Sequence, residues 1–318
     1  MKKSEQKKKY SISYQLFGLD SYFDDLVNLY NKNRFPKVSL FSGDKGIGKL
    51  TLTFHFVFNI LNRSNTNIYD LQKKRIINKN YIYNQMASNL SDNFFYMENY
   101  DNNKVNIEEI RNLKKKLYNS TLNNFPRFVV LDDIENININ SANSLLKLIE
   151  EPNNTNYFIL INNKRNNLLE TIKSRSIETK FILNKKQKKI IFQRLLNLLD
   201  INNSYYHNYI EYSSPGNLIL ISDILEMENI KNNTPFYDSV SILLDKYKKT
   251  KKEIYLISIQ FLLEIQFLKS NKNENIKRLF LISKINYLAK LLNNYKKFSL
   301  NNNVILDYID KSKNIFYA

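Results

Sequence analysis

The sequence predicts a parallel α/β domain built around a phosphate-binding loop, followed by an α-helical remainder. Three observations carry that prediction. A Gly-x4-Gly-Lys motif stands between a strand-like run and a helix-like run. Apolar strand runs then alternate with helical ones to about residue 180. From residue 181 onward the pattern is helical, with almost no strand signal.

The first strand is residues 37–42, a β-prone run preceded by Pro36. It leads into Gly43, Asp44, Lys45, Gly46, Ile47, Gly48 and Lys49, and residues 50–61 read as a helix. In such a strand–loop–helix unit, backbone N–H groups cradle phosphate oxygens and the lysine reaches the outer phosphates. The position after Lys49 would ordinarily carry a hydroxyl for Mg²⁺; here it is Leu50, and Thr51 comes one residue late, turned about 100° around the helix.

Residues 62–104 are polar and Asn-rich and read as including long loops. Ile107, Ile110, Leu113 and Leu117 mark an amphipathic helix over 106–118. Pro126 introduces a buried-strand run, 127–131, that ends in Asp132 and Asp133. Asp132 stands where an acidic residue would help hold Mg²⁺; Asp133 stands where a water-polarising Glu would be, one methylene short. A helix over about 141–151 is stopped by Pro152, then come a strand over 157–161, a short helix near 168–173 and Ser174-Arg175-Ser176. Beyond 181, helices over 185–200 and 217–228 flank a loop at 213–216, and three or four more follow from about 236. The expected division is a nucleotide-binding-like domain over 1–180, a helical lid over 181–235 and a helical collar for oligomerisation over 236–318.

Composition narrows the chemistry. The 318 residues carry 48 Lys+Arg against 30 Asp+Glu, a net charge of +18, and no cysteine. Disulfide frameworks, Cys–zinc sites and thiol catalysis are thereby excluded. The lysine-rich start lacks an apolar segment, and the longest apolar stretch, 254–268, is interrupted by Gln260, Glu264 and Gln266, so a cytoplasmic protein with no membrane partner is expected. His55 and His207 read as packing or surface residues, and no metal site is expected. Lys outnumbers Arg 39 to 9, so an arginine among lysines stands out. Arg175 is one, and its permanently charged fork suits transferring phosphate. Sequence spacing alone leaves open a solvated or carboxylate-paired surface role as well.

Four stretches carry a family resemblance: Val130-Leu-Asp-Asp133, Ser141-Ala-Asn-Ser-Leu-Leu-Lys-Leu-Ile-Glu-Glu-Pro152, Phe158-Ile-Leu-Ile161 and Leu168-Leu-Glu-Thr-Ile-Lys-Ser-Arg-Ser176. They resemble the AAA+ clamp-loader subunits of bacterial DNA polymerase III, and the delta-prime branch most of all. The resemblance covers roughly residues 12–180. It implies an AAA+ RecA-like sheet with a helical lid and a collar through which five subunits form an open ring. Arg175 becomes a trans-acting arginine finger for an adjacent motor subunit. Asn162 falls at the sensor position facing the nucleotide, while Gly216 and Asn217 stand where motor subunits place a sensor arginine. The implied role is a stator with little or no ATP hydrolysis. Its partners would be motor (gamma/tau-type) and delta subunits, the sliding clamp and primed DNA. Many relatives hold zinc after the loop helix; this chain has no cysteines for it. Whether ATP or ADP, with or without magnesium, occupies the loop stays open. So do two rival readings: a motor-type ATPase using Lys49, Thr51, Asp132 and Asp133, and a stand-alone nucleic-acid-binding protein using its basic collar.

Overall fold

The computed structural model describes residues 13–63, 67–99, 104–118, 125–164, 166–199, 209–231, 233–270, 275–298 and 301–311. The chain forms two compact units, residues 1–191 and 192–318.

In the first unit, α1 (Asp20–Asn31) precedes β1 (Val38–Ser42), and the loop 43–48 leads into α2 (Lys49–Leu61). A two-stranded antiparallel ribbon, β2 (Tyr69–Asp70) with β3 (Arg75–Ile76), and α3 (Tyr81–Ala87) follow. Next come β4 (Phe94–Glu98), α4 (Ile107–Tyr118), β5 (Arg127–Asp132), a 3₁₀ turn at Ile134–Asn136 and α5 (Ile139–Ile149). The unit closes with β6 (Asn156–Asn162), α6 (Glu170–Lys173), β7 (Ile177–Lys180) and the first part of α7 (Lys185–Leu199).

Five strands pair in parallel in the order β4–β5–β6–β1–β7. β1 and β5 are buried along their whole length, as strands covered on both faces must be. Alternate side chains supply two cores. Leu40, Val129, Leu131, Phe158 and Leu160 pack with Ile110 and Leu113 of α4 and Leu145 and Ile149 of α5. Phe128 and Tyr157 project the other way, into an aromatic cluster with Tyr30 of α1, Phe35 and Phe56 of α2.

Parallel strands beginning on one side all end on the other, so the loops after β1, β5 and β6 share one edge. Register aligns them: Ser42 lies opposite Asn162, and Glu98 opposite Asp132. The expected strands and helices of 37–173 are present, each within two residues of its expected limits. The stretch 62–104 differs: besides loops it holds β2, β3, α3 and the edge strand β4. His207 lies outside the described residues.

The second unit is helical: α8 (Pro215–Met227), α9 (Phe236–Thr250), α10 (Ile254–Ser270), α11 (Asn275–Phe298) and α12 (Asn302–Asp310). Ser214 caps α8 by accepting from the Asn217 N–H, and Pro215 follows where its missing N–H costs nothing. α10 packs against α8, α9 and α11. Phe192, Leu218, Ile221, Leu243, Ile259, Leu288 and Ile309 belong to one apolar cluster. The segments expected as lid and collar therefore contribute to a common core. No helix among the described residues is long and apolar enough to cross a membrane.

Candidate functional site

The loop after β1 takes its shape from glycine. Gly48 has φ +100°, a left-handed conformation that side chains resist, and it caps α2. A Cβ on Gly43 would lie 2.6 Å from the Phe181 carbonyl oxygen, so only glycine lets this backbone pass beside the residue after β7. Lys49 opens α2 almost fully buried, and its ammonium donates to the carbonyls of Gly43 at 2.7 Å and Asp44 at 2.9 Å. Burial lowers its pKa to about 8, against the opposing charges of Asp132, Glu135, Asp44 and Asp133.

The loops after β5 and β6 meet the phosphate loop in a charged cluster. Asp132 ends β5, and Asp133 follows with φ 52° in the left-handed region. The Asp133 carboxylate is fully buried and takes the Lys45 ammonium at 2.6 Å. One side-chain amide joins the two acids: Asn163 Nδ2 donates to Asp132 Oδ1 at 2.9 Å and to Asp133 Oδ1 at 2.7 Å. The Asn163 backbone N–H in turn donates to both oxygens of Glu135 at 3.1 Å. Asp132 also accepts from the Asp133 N–H at 2.9 Å and from the Tyr96 hydroxyl at 3.4 Å. Burial raises the Asp132 pKa, and the Asp133 charge adds to that; Lys45, the Asp133 N–H and Asn163 pull it back.

Gly43 to Lys49, Asp132, Asp133 and Asn162 therefore converge on one edge of the sheet. Leu50 and Thr51 lie half-buried on the first turn of α2. Asn162 bonds locally, its amide donating to Ser42 Oγ at 3.4 Å while its side-chain oxygen accepts from the Lys164 N–H. Its neighbour Asn163, which the sequence reading passed over, is the residue that touches the acids. Glu135 and Tyr96 were also missed. In a chain with 50 asparagines, nothing local distinguishes Asn163.

Arg175 lies apart from this cluster, just after α6. Its Nε and Nη2 donate to Glu150 Oε1 at 2.9 and 2.6 Å, and Nη1 donates to the Thr171 carbonyl at 3.2 Å. A carboxylate partner was among the environments left open for it. The structure supplies it.

A bound magnesium fits this residue set poorly. Leu50 offers no oxygen, the Asp133 carboxylate is already matched by an ammonium, and Asp132 already accepts three hydrogen bonds. Among the described residues, no group of three His, Asp or Glu could hold a metal ion. Within the loop itself, Gly46 and Gly48 hold positive φ, 85° and 100°.

A family model described as DNA polymerase III, delta subunit, matches residues 18–185, more than half of the chain. The chain belongs to this family. Curated relatives of the chain carry the name DNA polymerase III subunit delta'. One, from Buchnera aphidicola, is 34% identical over 73 residues, which is 23% of this chain and 22% of the relative. Another, from Pseudomonas aeruginosa, is 30% identical over 94 residues, 29% of each chain. The aligned stretches thus span under a third of these relatives' own length. Among solved structures, a gamma-subunit-related protein of DNA polymerase III from Thermotoga maritima aligns over 93% of this chain and 97% of its own, at 16% identity and a TM-score of 0.48. The RuvB Holliday junction branch migration motor of the same organism aligns over 90% and 82%, at 14% identity and a TM-score of 0.43.

Proposed function

We propose that this chain is a delta-prime-like stator of a DNA polymerase III clamp loader. It is a cytoplasmic AAA+ subunit of a hetero-oligomeric ring that supports ATP-driven loading of the sliding clamp onto primed DNA. It hydrolyses little or no ATP itself and lends Arg175 to ATP held by a neighbouring motor subunit. Residues 1–180 are its nucleotide-binding-like domain, 181–235 its lid and 236–318 the collar that joins motor and delta subunits.

One observation carries the non-hydrolysing part: the Lys45–Asp133 ion pair. A carboxylate that polarises water needs its lone pairs directed at that water. Each Asp133 carboxylate oxygen already accepts a hydrogen bond, Oδ2 from Lys45 and Oδ1 from Asn163. With Leu50 in place of a hydroxyl and Lys49 engaged by the loop's own carbonyls, the charge arrangement supports bracing rather than turnover. ATP or ADP in the loop is not required for this role.

The test is ATP turnover by the purified chain with magnesium. Turnover at background level, unchanged by Lys49→Ala, is expected. Motor-like rates that Lys49→Ala abolishes would overturn the reading.

A further inference from the structure

We infer that Glu150 is a positioning residue for Arg175, fixing the guanidinium in the orientation it presents to the neighbouring subunit's phosphates. The inference rests on the reading of Arg175 as a finger acting across a subunit boundary.

Both residues hang from well-anchored backbone. Glu150 follows directly on α5, whose Leu145 and Ile149 are buried. The Arg175 N–H donates to the Ile172 carbonyl at 3.2 Å, and Ile172 is fully buried in the same apolar cluster as Leu145 and Ile149. The two side chains therefore reach each other from two turns packed on one core.

The bonding pattern then decides what Glu150 does. Glu150 Oε1 takes the Nε and Nη2 donors, the side edge of the fork, while Thr171 takes one Nη1 donor. A guanidinium has five N–H groups, so two remain, one on each terminal nitrogen, for an external acceptor. That is the donor pair suited to bidentate contact with phosphate oxygens. The side chains of Arg175 and Glu150 are 37% and 47% exposed, so solvent reaches the pair. An ion pair this exposed holds too weakly to withhold the arginine from a polyphosphate. It does narrow the rotamers of a long side chain beforehand, which lowers the ordering cost when the finger engages. Glu150 thus aids the finger rather than masking it.

The experiment is steady-state ATPase of the assembled complex of motor and delta subunits with this chain, in the presence of clamp and primed DNA. Arg175→Ala, Glu150→Ala, Glu150→Gln and the Arg175→Ala/Glu150→Ala pair are compared with wild type, with assembly checked by gel filtration. Immobilising one such side chain corresponds to about 3- to 10-fold in rate. Glu150→Ala is therefore expected to lower kcat about 3- to 10-fold with KM for ATP nearly unchanged. Glu150→Gln keeps an acceptor oxygen and should restore most of the rate. Adding Glu150→Ala to Arg175→Ala should change nothing further.

If Arg175→Ala leaves the ATPase intact, the finger reading fails and this inference with it. If Arg175→Ala impairs the complex but Glu150→Ala leaves kcat unchanged or raises it, the finger stands and the positioning role is overturned. A Glu150→Ala defect that persists undiminished in the Arg175→Ala background also overturns it, because Glu150 would then act through something other than the finger.

Discussion

At the scale of single residues, the site is governed by where its charges find partners. Asp133 is fully buried, while the Lys45 side chain that neutralises it is 22% exposed. Removing one partner of a buried pair leaves an uncompensated charge, which costs about 3–5 kcal/mol. Lys45→Met is therefore expected to lower the unfolding free energy by about 3 kcal/mol in urea titration, near the bottom of that range because Lys45 is partly solvated. Combining it with Asp133→Asn removes the stranded charge and keeps an oxygen for Asn163, so the double variant should recover more than half of the loss. Equal stability of wild type and Lys45→Met would mean the pair contributes nothing to the fold. The glycines and Lys49 of this site are legible in the sequence, because a left-handed turn and a close backbone approach leave few alternatives. Asn163, Glu135 and Glu150 are not. Each acquires its partner through strand register or helix packing across 25 or more residues, and each is an ordinary polar residue in its own neighbourhood.

At the scale of elements, legibility follows position in the sheet. β1, β5 and β6 sit inside it and read as continuous apolar runs. β7 is an edge strand with no fully buried residue, and β4, on the other edge, alternates buried with half-buried positions. Neither carries the run that marks a central strand, so the sheet's interior was foreseen and its margins were not. α2 is an element whose burial has a measurable consequence. His55 on it is fully buried, with Nδ1 against the Tyr69 hydroxyl at 2.9 Å and Nε2 against the Ser13 carbonyl at 2.8 Å, which ties both neighbouring segments to the helix. Burial lowers its pKa to about 4 from 6.5, despite the bond to Ser13. A depressed folded-state pKa means that the unfolded chain binds the proton first. The contribution of His55 is thus whole above pH 6.5 and is lost as pH falls toward 4, at about 1.4 kcal/mol per unit. His55→Gln removes this titration. Its stability should fall less steeply than that of wild type between pH 6.5 and 4 in urea midpoints at matched ionic strength. Parallel curves for the two proteins would show that His55 does not carry the dependence.

At the scale of the whole molecule, the chain buries its apolar residues in separate places. The cluster around Leu40, Leu131 and Leu160 lies within residues 1–191, and the cluster from Phe192 to Ile309 lies within the helical unit. The basic excess is uneven too: residues 1–191 carry 31 Lys+Arg against 18 Asp+Glu, a balance of +13, and residues 192–318 carry 17 against 12, a balance of +5. Like charge in one region weakens the compact state there through self-repulsion. Two units with different cores and different charge should melt as two cooperative blocks, so the calorimetric enthalpy should exceed the van't Hoff value. Substitutions then sort the transitions. Lys45→Met acts in the first unit, and a loss of about 3 kcal/mol should lower one midpoint by about 6–12 °C while leaving the other in place. Ile259, fully buried in the second cluster, gives the reciprocal probe. Ile259→Ala removes a comparable free energy, about 2–5 kcal/mol, and should move only the other midpoint. Added salt screens the first unit's larger excess charge, so the Lys45-sensitive transition should rise with ionic strength more than the Ile259-sensitive one. A single transition that both substitutions shift together would show instead that the two cores unfold as one.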